Sequence, residues 1–169
     1  MPNYCSFEMK VTGSEKNVKE FFETVSGDSC NKPHFPRVFE AEICEKGHTD
    51  DGYMICIWGY CAWSVYSCML DGDGTYNNKA NPEDKITLQS ESKRLNINVE
   101  VWSNESETYF IEHYLYKTGA EIINEEIDYT KQVEEWSNET DENGQPEEWT
   151  LTHENYLDEV CENYGNWQI

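Results

Sequence analysis

The alternation of apolar and polar residues is clearest at the beginning of the chain. Apolar residues occupy every second position from 5 to 11, which predicts a strand with one buried face. Gly13 ends this strand, and Ser14 supplies the N-cap of a helix with apolar residues at positions 18, 21, 22 and 25. Gly27 closes the helix. A strand that leads directly into a helix is the opening of an α/β or α+β unit.

Between residues 28 and 123 the same kind of pattern predicts five further strands and one helix. The strands are expected at 38–44, at 53–58, where both faces are apolar, at 97–102, at 109–116 and at 120–123. The helix is expected to begin at Asn81-Pro82 and to end near Leu95. This order predicts an α+β fold in which a ferredoxin-like sheet is backed by two helices, in a domain that spans residues 1–123.

Residues 124–169 predict an acidic C-terminal extension that packs on the same domain. Within it, residues 131–136 and 147–151 are expected to pair as a hairpin around the loop at 138–144. A closing helix is expected after an N-cap at Thr152, with apolar residues at positions 157, 160, 161 and 164.

Two stretches of the chain resemble a known family. The resemblance is carried by the opening Pro2-Asn3-Tyr4-Cys5 with the strand and helix after it, and by the long strand that ends in Tyr114-Leu115-Tyr116-Lys117-Thr118-Gly119. Over about residues 1–27 and 80–125 the chain resembles the YubB-type ferredoxin-like domain family of phages and plasmids. Members of that family usually have Trp at the position of Tyr4. The resemblance implies a ferredoxin-like fold and a mobile-element origin, and it implies no activity and no catalytic residue.

Composition narrows the class of protein. Only 37% of the residues are hydrophobic, but 14% are aromatic, which favours a folded chain over a disordered acidic one. No apolar run approaches the ~18 residues of a membrane span. The N-terminus lacks the pattern of a signal peptide, and the seven cysteines are odd in number, so we expect reduced thiols in the bacterial cytoplasm.

The net charge of −22 is the feature that bears most directly on function. Residues 121–169 carry fifteen acidic residues and one lysine, a net charge of −14. If these 49 residues cover about a third of the surface, they carry one charge per ~200 Å², within twofold of the ~110 Å² of duplex DNA. Such a field repels nucleic acid and anionic membranes and attracts basic grooves. A well-solvated acidic surface without a partner is the alternative interpretation.

The evidence for a metal site or a catalytic site is weaker than the evidence from charge. Cys30, His34, Cys44 and His48 form two Cys/His pairs, a set that zinc could use although the spacing departs from common zinc motifs. The cysteines at positions 56, 61 and 68 lie in an aromatic-rich run, where burial is expected to raise their pKa and make them inert. Glu112 and His113 are neighbours on a strand, so their side chains should point to opposite faces. We therefore predict no enzymatic activity, no cofactor and no metal site.

Aromatic residues on the predicted sheet offer a further surface. Tyr4, Trp102, Tyr114 and Tyr116 are expected to share one face, together with Glu8 and Glu100. Sheets that stack nucleic-acid bases on aromatic side chains need basic residues around them, so direct binding of nucleic acid is rejected.

A short repeat suggests two protruding tips. Residues 99–106 (VEVWSNES) return as residues 133–140 (VEEWSNET), which indicates two hairpin arms with the same turn chemistry. This places the carboxylates of Glu105, Glu107, Glu139, Asp141 and Glu142 on the tips. Coincidence within an acidic chain of low diversity is the alternative.

These observations predict a non-enzymatic phage or mobile-element protein that blocks a basic nucleic-acid-handling protein, as an anti-CRISPR or anti-restriction nucleic-acid mimic. The partner would be a protein such as a CRISPR effector or a restriction enzyme. The predicted contact residues are carboxylates with two apolar anchors: Glu105, Glu107, Glu134, Glu135, Trp136, Glu139, Asp141, Glu142, Glu147, Glu148 and Trp149. The alternatives are an accessory protein that binds a host or phage protein through the aromatic sheet face, and a zinc-binding protein.

Overall fold

The computed structural model describes residues 3–27, 34–70, 86–105, 108–136, 143 and 160–169. In chain order the elements are β1 Tyr4–Gly13, α1 Glu15–Ser26, β2 Val38–Thr49, β3 Gly52–Ala62, α2 Val65–Met69, α3 Leu88–Leu95, β4 Asn98–Glu105, β5 Phe110–Lys117, β6 Ala120–Asp128 and α4 Thr130–Trp136. The six strands form one antiparallel sheet in the order β2-β3-β1-β4-β5-β6. The predicted α+β class is confirmed, and the sheet carries more than the two helices that the sequence predicts.

The first strand and helix follow the predicted pattern. The apolar side chains at positions 5, 7, 9 and 11 are fully or almost fully buried, and the intervening side chains lie on the opposite face. The hydroxyl of Ser14 accepts a hydrogen bond from the backbone N–H of Asn17 at 3.3 Å. Gly27 ends the helix with a φ of 68°, a left-handed conformation that favours glycine.

Two cores cover opposite faces of the sheet. The first core lies between the sheet and the helices α1, α2 and α3, and it includes Phe7, Met9, Phe21, Ile57, Leu88 and Val101. The second core lies on the other face near β4, β5 and β6, beneath α4 and the C-terminal segment 160–169. Its buried members are Trp102, Ile111, Tyr129 and Cys161. Both faces of β4 and β5 are therefore buried.

The second long helix begins later than the sequence predicts. Residues 81–85 lie outside the described residues, and α3 begins at Leu88. Thr87 is its N-cap: the Thr87 hydroxyl accepts from the Ser90 N–H at 3.0 Å, and the Ser90 hydroxyl accepts from the Thr87 N–H at 2.8 Å. Leu95 is buried, as the sequence predicts.

The strands β2 and β6 are the two edges of the sheet and run further than their patterns indicate. β2 continues from the predicted end at Cys44 to Thr49, and most of its side chains are exposed. β6 continues from the predicted end at Ile123 to Asp128, so the sheet passes the expected domain boundary. Edge strands of this kind bury few side chains and give little periodic signal.

The segment 131–136 is helical, and its predicted pairing as a strand is wrong. Tyr129 and Val133 are four residues apart, and both pack in the second core, which is the spacing of one helix face. Asp128 begins the helix by accepting hydrogen bonds from the N–H of Thr130 at 2.9 Å and from its hydroxyl at 2.6 Å. The predicted partner strand at 147–151 and the closing helix up to residue 159 lie outside the described residues.

The helices of the described part are short. The longest is α1, with twelve residues, and none has both the length and the apolar character of a membrane span.

Candidate functional site

The edge strand β6 carries four exposed carboxylates, Glu121, Glu125, Glu126 and Asp128. Glu125 and Glu126 are consecutive, so they project from opposite faces of the strand. Within the described residues no ion pair involves β6. Its negative charges therefore add along one edge of the sheet.

The helix α4 continues this charged edge. The hydrogen bonds from Thr130 lower the pKa of Asp128, which keeps its carboxylate charged where the helix begins. Glu134 and Glu135 are exposed on α4, and Lys131 is the one basic residue between positions 120 and 136. We call the six carboxylates of β6 and α4 the acidic edge: Glu121, Glu125, Glu126, Asp128, Glu134 and Glu135.

The predicted contact residues are distributed unevenly. Glu134 and Glu135 belong to the acidic edge, and Trp136 ends α4. Glu105 is only 1% exposed and accepts hydrogen bonds from the N–H and the hydroxyl of Thr108, so it does not project from a tip. Seven of the predicted residues lie outside the described residues: Glu107, Glu139, Asp141, Glu142, Glu147, Glu148 and Trp149.

The sequence repeat does not give two copies of one structure. In the first copy, residues 99–105 form most of β4, and in the second copy, residues 133–136 form the end of α4. Val99, Glu100 and Trp102 are therefore extended, whereas the identical residues Val133, Glu134 and Trp136 are helical. The interpretation as two equivalent hairpin arms is wrong over the described residues.

A second group of carboxylates lies on the opposite edge of the sheet. Glu40, Glu42 and Glu45 are exposed on β2, and Asp50 and Asp51 are exposed in the turn that follows. No pattern in the sequence distinguishes these five residues. Negative charge is therefore present at both edges and is not confined to the C-terminal region.

Exposed aromatic side chains lie between the two edges, on the face opposite the first core. Tyr4 is 60% exposed and Phe39 is 52% exposed, and their ring centroids are 5.5 Å apart. Trp58 and Tyr60 form a second pair, with centroids 5.6 Å apart and ring planes at 89°. We call Tyr4, Phe39, Trp58 and Tyr60 the open aromatic face.

Carboxylates flank this open aromatic face. Trp58 on β3 is aligned with Glu8 on β1 and with Glu42 on β2, and aligned residues share a face. An aromatic ring between two exposed carboxylates is chemically suited to a cationic side chain.

The predicted aromatic face is wrong in its composition. The register of β4 and β5 aligns Trp102 with His113, which puts Tyr114 and Tyr116 on the other face. Both tyrosines are 2% exposed and belong to the first core. Burial and nearby carboxylates raise the pKa of both phenols, so both stay neutral hydrogen-bond donors.

Trp102 and His113 are buried on the second face beneath the C-terminal segment. Their rings stack at 3.6 Å with an angle of 9° between the planes. The His113 Nε2 atom lies 2.9 Å from the Glu100 Oε1 atom, and the backbone N–H of Gln168 donates to Glu100 Oε2 at 2.6 Å. Tyr164 covers Trp102 with a centroid distance of 5.3 Å. This buried Glu–His pair anchors the C-terminal segment to the sheet.

This arrangement makes the chemical accessibility of His113 a test of the packing. His113 is 4% exposed, so we expect diethyl pyrocarbonate to leave it unmodified in the full chain and to modify it after deletion of residues 160–169. His48, which is exposed, should react in both proteins and serves as the internal control. Mass spectrometry of the modified peptides measures both; equal labelling of His113 in the two proteins would contradict the packing.

Glu112 points into the opposite face, as the sequence predicts, and connects three elements. Its carboxylate accepts hydrogen bonds from Ser103 Oγ at 2.5 Å, from the N–H groups of Val65 and Tyr66 at 2.8 and 3.0 Å, and from Tyr114 OH at 3.0 Å. Burial raises the pKa of Glu112, and the four donors partly oppose that rise. Glu112 thereby joins α2 and β4 to β5.

The raised pKa of Glu112 predicts a pH dependence of stability. The folded protein holds the Glu112 proton to a higher pH than the unfolded chain, whose carboxyl ionises near 4.5. Between those two pKa values the contribution of Glu112 to the free energy of unfolding falls as the pH rises. We expect the stability difference between wild type and Glu112→Gln to move against wild type from pH 4.5 upward in urea unfolding experiments. A difference that stays constant with pH would contradict this.

The described residues do not assemble a metal site. Cys44 and His48 are four residues apart on the extended strand β2, about 13 Å along the chain, whereas zinc needs ligands within ~2.3 Å. The two side chains therefore cannot share one zinc ion. Among the described residues no three potential metal ligands come together, and Cys30 lies outside them.

Comparison with known proteins gives no relative. No family model matches the chain, and no curated protein and no solved structure matches it.

Proposed function

We propose that this chain is a non-enzymatic protein that binds a basic nucleic-acid-handling protein and excludes nucleic acid from it. The observation that carries the proposal is the acidic edge. Six exposed carboxylates follow β6 and α4 with one lysine among them. A bacterial anti-CRISPR or anti-restriction inhibitor that acts as a nucleic-acid mimic is the concrete form of the proposal, with a CRISPR effector or restriction enzyme as its partner.

The spacing of the carboxylates supports this. From Glu121 to Asp128 the strand rises about 24 Å and carries four charges, or one per ~6 Å. One strand of duplex DNA carries a phosphate per ~3.4 Å of helix axis. The β6 part of the acidic edge therefore has about half the linear charge density of one DNA strand, and basic side chains spaced for phosphates can reach its carboxylates.

The strand order supports the ferredoxin-like interpretation within the same proposal. The order β4-β1-β3-β2, with helices after β1 and before β4, is that of a split βαβ sandwich. In this interpretation β5 and β6 are an addition next to β4, and β6 places the acidic edge at the far side of the sheet. A YubB-type, mobile-element origin remains part of the proposal through the sequence resemblance.

A capture experiment tests the proposal. The tagged protein is incubated with bacterial lysate at low and at high salt, with and without duplex DNA as competitor. Captured nucleic-acid-handling proteins should be released both by salt, since exposed charges are screened within ~8 Å at physiological ionic strength, and by DNA. Partners that neither salt nor DNA releases would contradict it.

The open aromatic face supports a second candidate function, an accessory protein that binds a host or phage protein through its sheet. Tyr4, Phe39 and Tyr60 are each more than a third exposed on one surface, and aromatic side chains dominate many interfaces. Trp102 and Tyr114 are buried and cannot serve this role. Trp58→Ala with Tyr60→Ala should abolish binding in this case, while substitutions on the acidic edge should leave it unchanged.

A further inference from the structure

Trp58 lies on the open aromatic face between two carboxylates that belong to the neighbouring strands. It is partly exposed, and it is aligned with Glu8 on β1 and with Glu42 on β2, both of which are exposed. Neighbouring strands are ~4.8 Å apart, so the backbones of the two glutamates lie ~10 Å apart with the indole between them. Within the described part of the chain neither glutamate forms an ion pair. An accessible ring and two negative charges therefore face the same side of the sheet.

The ring of Tyr60 forms a second wall of this site. Tyr60 is 37% exposed, and its ring plane lies at 89° to that of Trp58 with the centroids 5.6 Å apart. Aromatic walls of this kind bind cationic groups. Glu40, which is aligned with Tyr60, adds a third exposed carboxylate. Lys10 is the one basic side chain on this face of β1, β2 and β3, so the local charge stays negative.

The chemistry of the site favours a guanidinium group over an ammonium group. A guanidinium is planar, so it can stack on an indole while its N–H groups point outward in the plane toward carboxylates on either side. It is also more weakly hydrated than the ammonium of lysine, so less hydration is lost when it leaves water for an aromatic surface. The position of the two glutamates beside Trp58 matches this arrangement.

We propose that the open aromatic face binds an arginine side chain of a protein partner, with the guanidinium stacked on Trp58 and paired with Glu8 and Glu42. Tyr4 and Phe39, whose ring centroids are 5.5 Å apart, receive an apolar side chain of the same partner segment. Tyr4 precedes Glu8 by four residues, or ~13 Å along the strand, so an extended segment with an apolar residue four positions from the arginine reaches both. This inference rests on the second candidate function and names the chemistry of its partner.

Titration of the isotope-labelled wild-type chain with peptides tests the inference without any substitution in the protein. The probe is the blocked peptide acetyl-GLSGSRSGSLG-amide, whose only charge is its arginine and whose leucines lie four positions to each side. The nuclear magnetic resonance signal of the Trp58 indole N–H, assigned by its loss in Trp58→Phe, should move on binding. The signal of the buried Trp102 should stay fixed. Movement of the Trp102 signal alone, or of neither signal, would overturn the inference.

Two control peptides test the role of the guanidinium. Citrulline has the shape of arginine without its charge, and it should weaken binding by about 10-fold or more because the cation–π contact and both ion pairs are lost. Lysine in the same position should give an intermediate affinity. Equal binding of the citrulline peptide would overturn the inference, and equal binding of the lysine peptide would overturn the specificity for arginine.

Matched variants locate the site. Glu8→Gln with Glu42→Gln should weaken binding of the arginine peptide by about 10-fold, whereas Glu125→Gln with Glu126→Gln, which changes the net charge equally at the acidic edge, should leave it unchanged. Equal loss in the two variants would overturn the site. If Trp58→Ala with Tyr60→Ala abolishes binding of a captured partner while the arginine and citrulline peptides bind equally, the second candidate function stands and this inference fails.

Discussion

Replacing Glu125, Glu126 and Glu135 with lysine is expected to abolish binding to the basic partner that we propose. All three carboxylates are exposed on the acidic edge, so the fold should tolerate the change. Each surface charge pair contributes up to ~1 kcal/mol, so the loss of three weakens binding by about 100-fold, and the new repulsion adds to this. Titration calorimetry or surface plasmon resonance with the captured partner measures the effect.

The opposite edge of the sheet provides the matched control. Glu40, Glu42 and Glu45 on β2 are also exposed, and their replacement with lysine changes the net charge by the same amount. Binding should survive in this control if the acidic edge makes the contact. Loss only in the control would favour the open aromatic face, which Glu42 flanks. Equal loss in both variants would show that net charge alone matters, and the proposed contact would be wrong.

Glu112→Ala is expected to destabilise the protein by about 4 kcal/mol, because it leaves four buried or half-buried donors without their acceptor. Domains of this size have total stabilities of roughly 5–15 kcal/mol, so the variant should be close to unfolding at ambient temperature. The donors include the two N–H groups that begin α2, so this helix should loosen first. Urea unfolding monitored by circular dichroism measures the loss.

Two variants separate the hydrogen-bond network from the charge. Glu112→Gln keeps one acceptor oxygen and the side-chain volume, so its loss should be smaller than that of Glu112→Ala. Glu121→Ala removes an exposed carboxylate that accepts from Tyr116 OH at 3.2 Å, and it should cost less than about 1 kcal/mol. Equal effects of Glu112→Ala and Glu121→Ala would contradict the central role of the buried carboxylate.

Local sequence signals predict those elements in which one face is buried against the first core. In β1 the alternation is strict, and in α1 a serine cap, an apolar stripe and a terminal glycine all agree. The hairpin of β4 and β5 is also predicted, since both strands have apolar runs on each side of a polar tip. In these places the propensity of the residues and their burial point to the same structure.

Pairing register and long-range packing are what the sequence leaves open. The β5 side chains that lie on the same face as Trp102 are determined by the pairing register of β4 and β5. The alternation of apolar and polar residues within one strand does not specify that register. The helix α4 has a sequence that also suits a strand, and its conformation is decided by contacts of Tyr129 and Val133 with residues 160–169. If the assumed register is shifted by one residue, Tyr114 and Tyr116 lie on the face of Trp102 in place of His113.

The candidate site, too, is predicted by the sequence only in part. Charge counting indicates an acidic C-terminal region, residues 121–169, and within it Glu134 and Glu135 lie on the acidic edge as exposed residues. The burial of Glu105 and the exposure of the β2 carboxylates depend on tertiary structure. A glutamate on a central strand can become a buried hydrogen-bond acceptor, whereas a glutamate on an edge strand stays exposed. The four β6 carboxylates could have been found from the strand's lack of an apolar stripe, which is typical of an edge.

The second core has a consequence for the order in which the protein matures during synthesis. Tyr164 follows Trp102 by 62 residues, and at ~5–20 residues per second a ribosome needs about 3–12 s to add them. Throughout that interval the outer surface of β4 and β5 lacks its cover, and the nascent chain presents Trp102 and Ile111 to the surrounding medium. Ribosome-associated chaperones would meet this protein through that uncovered surface.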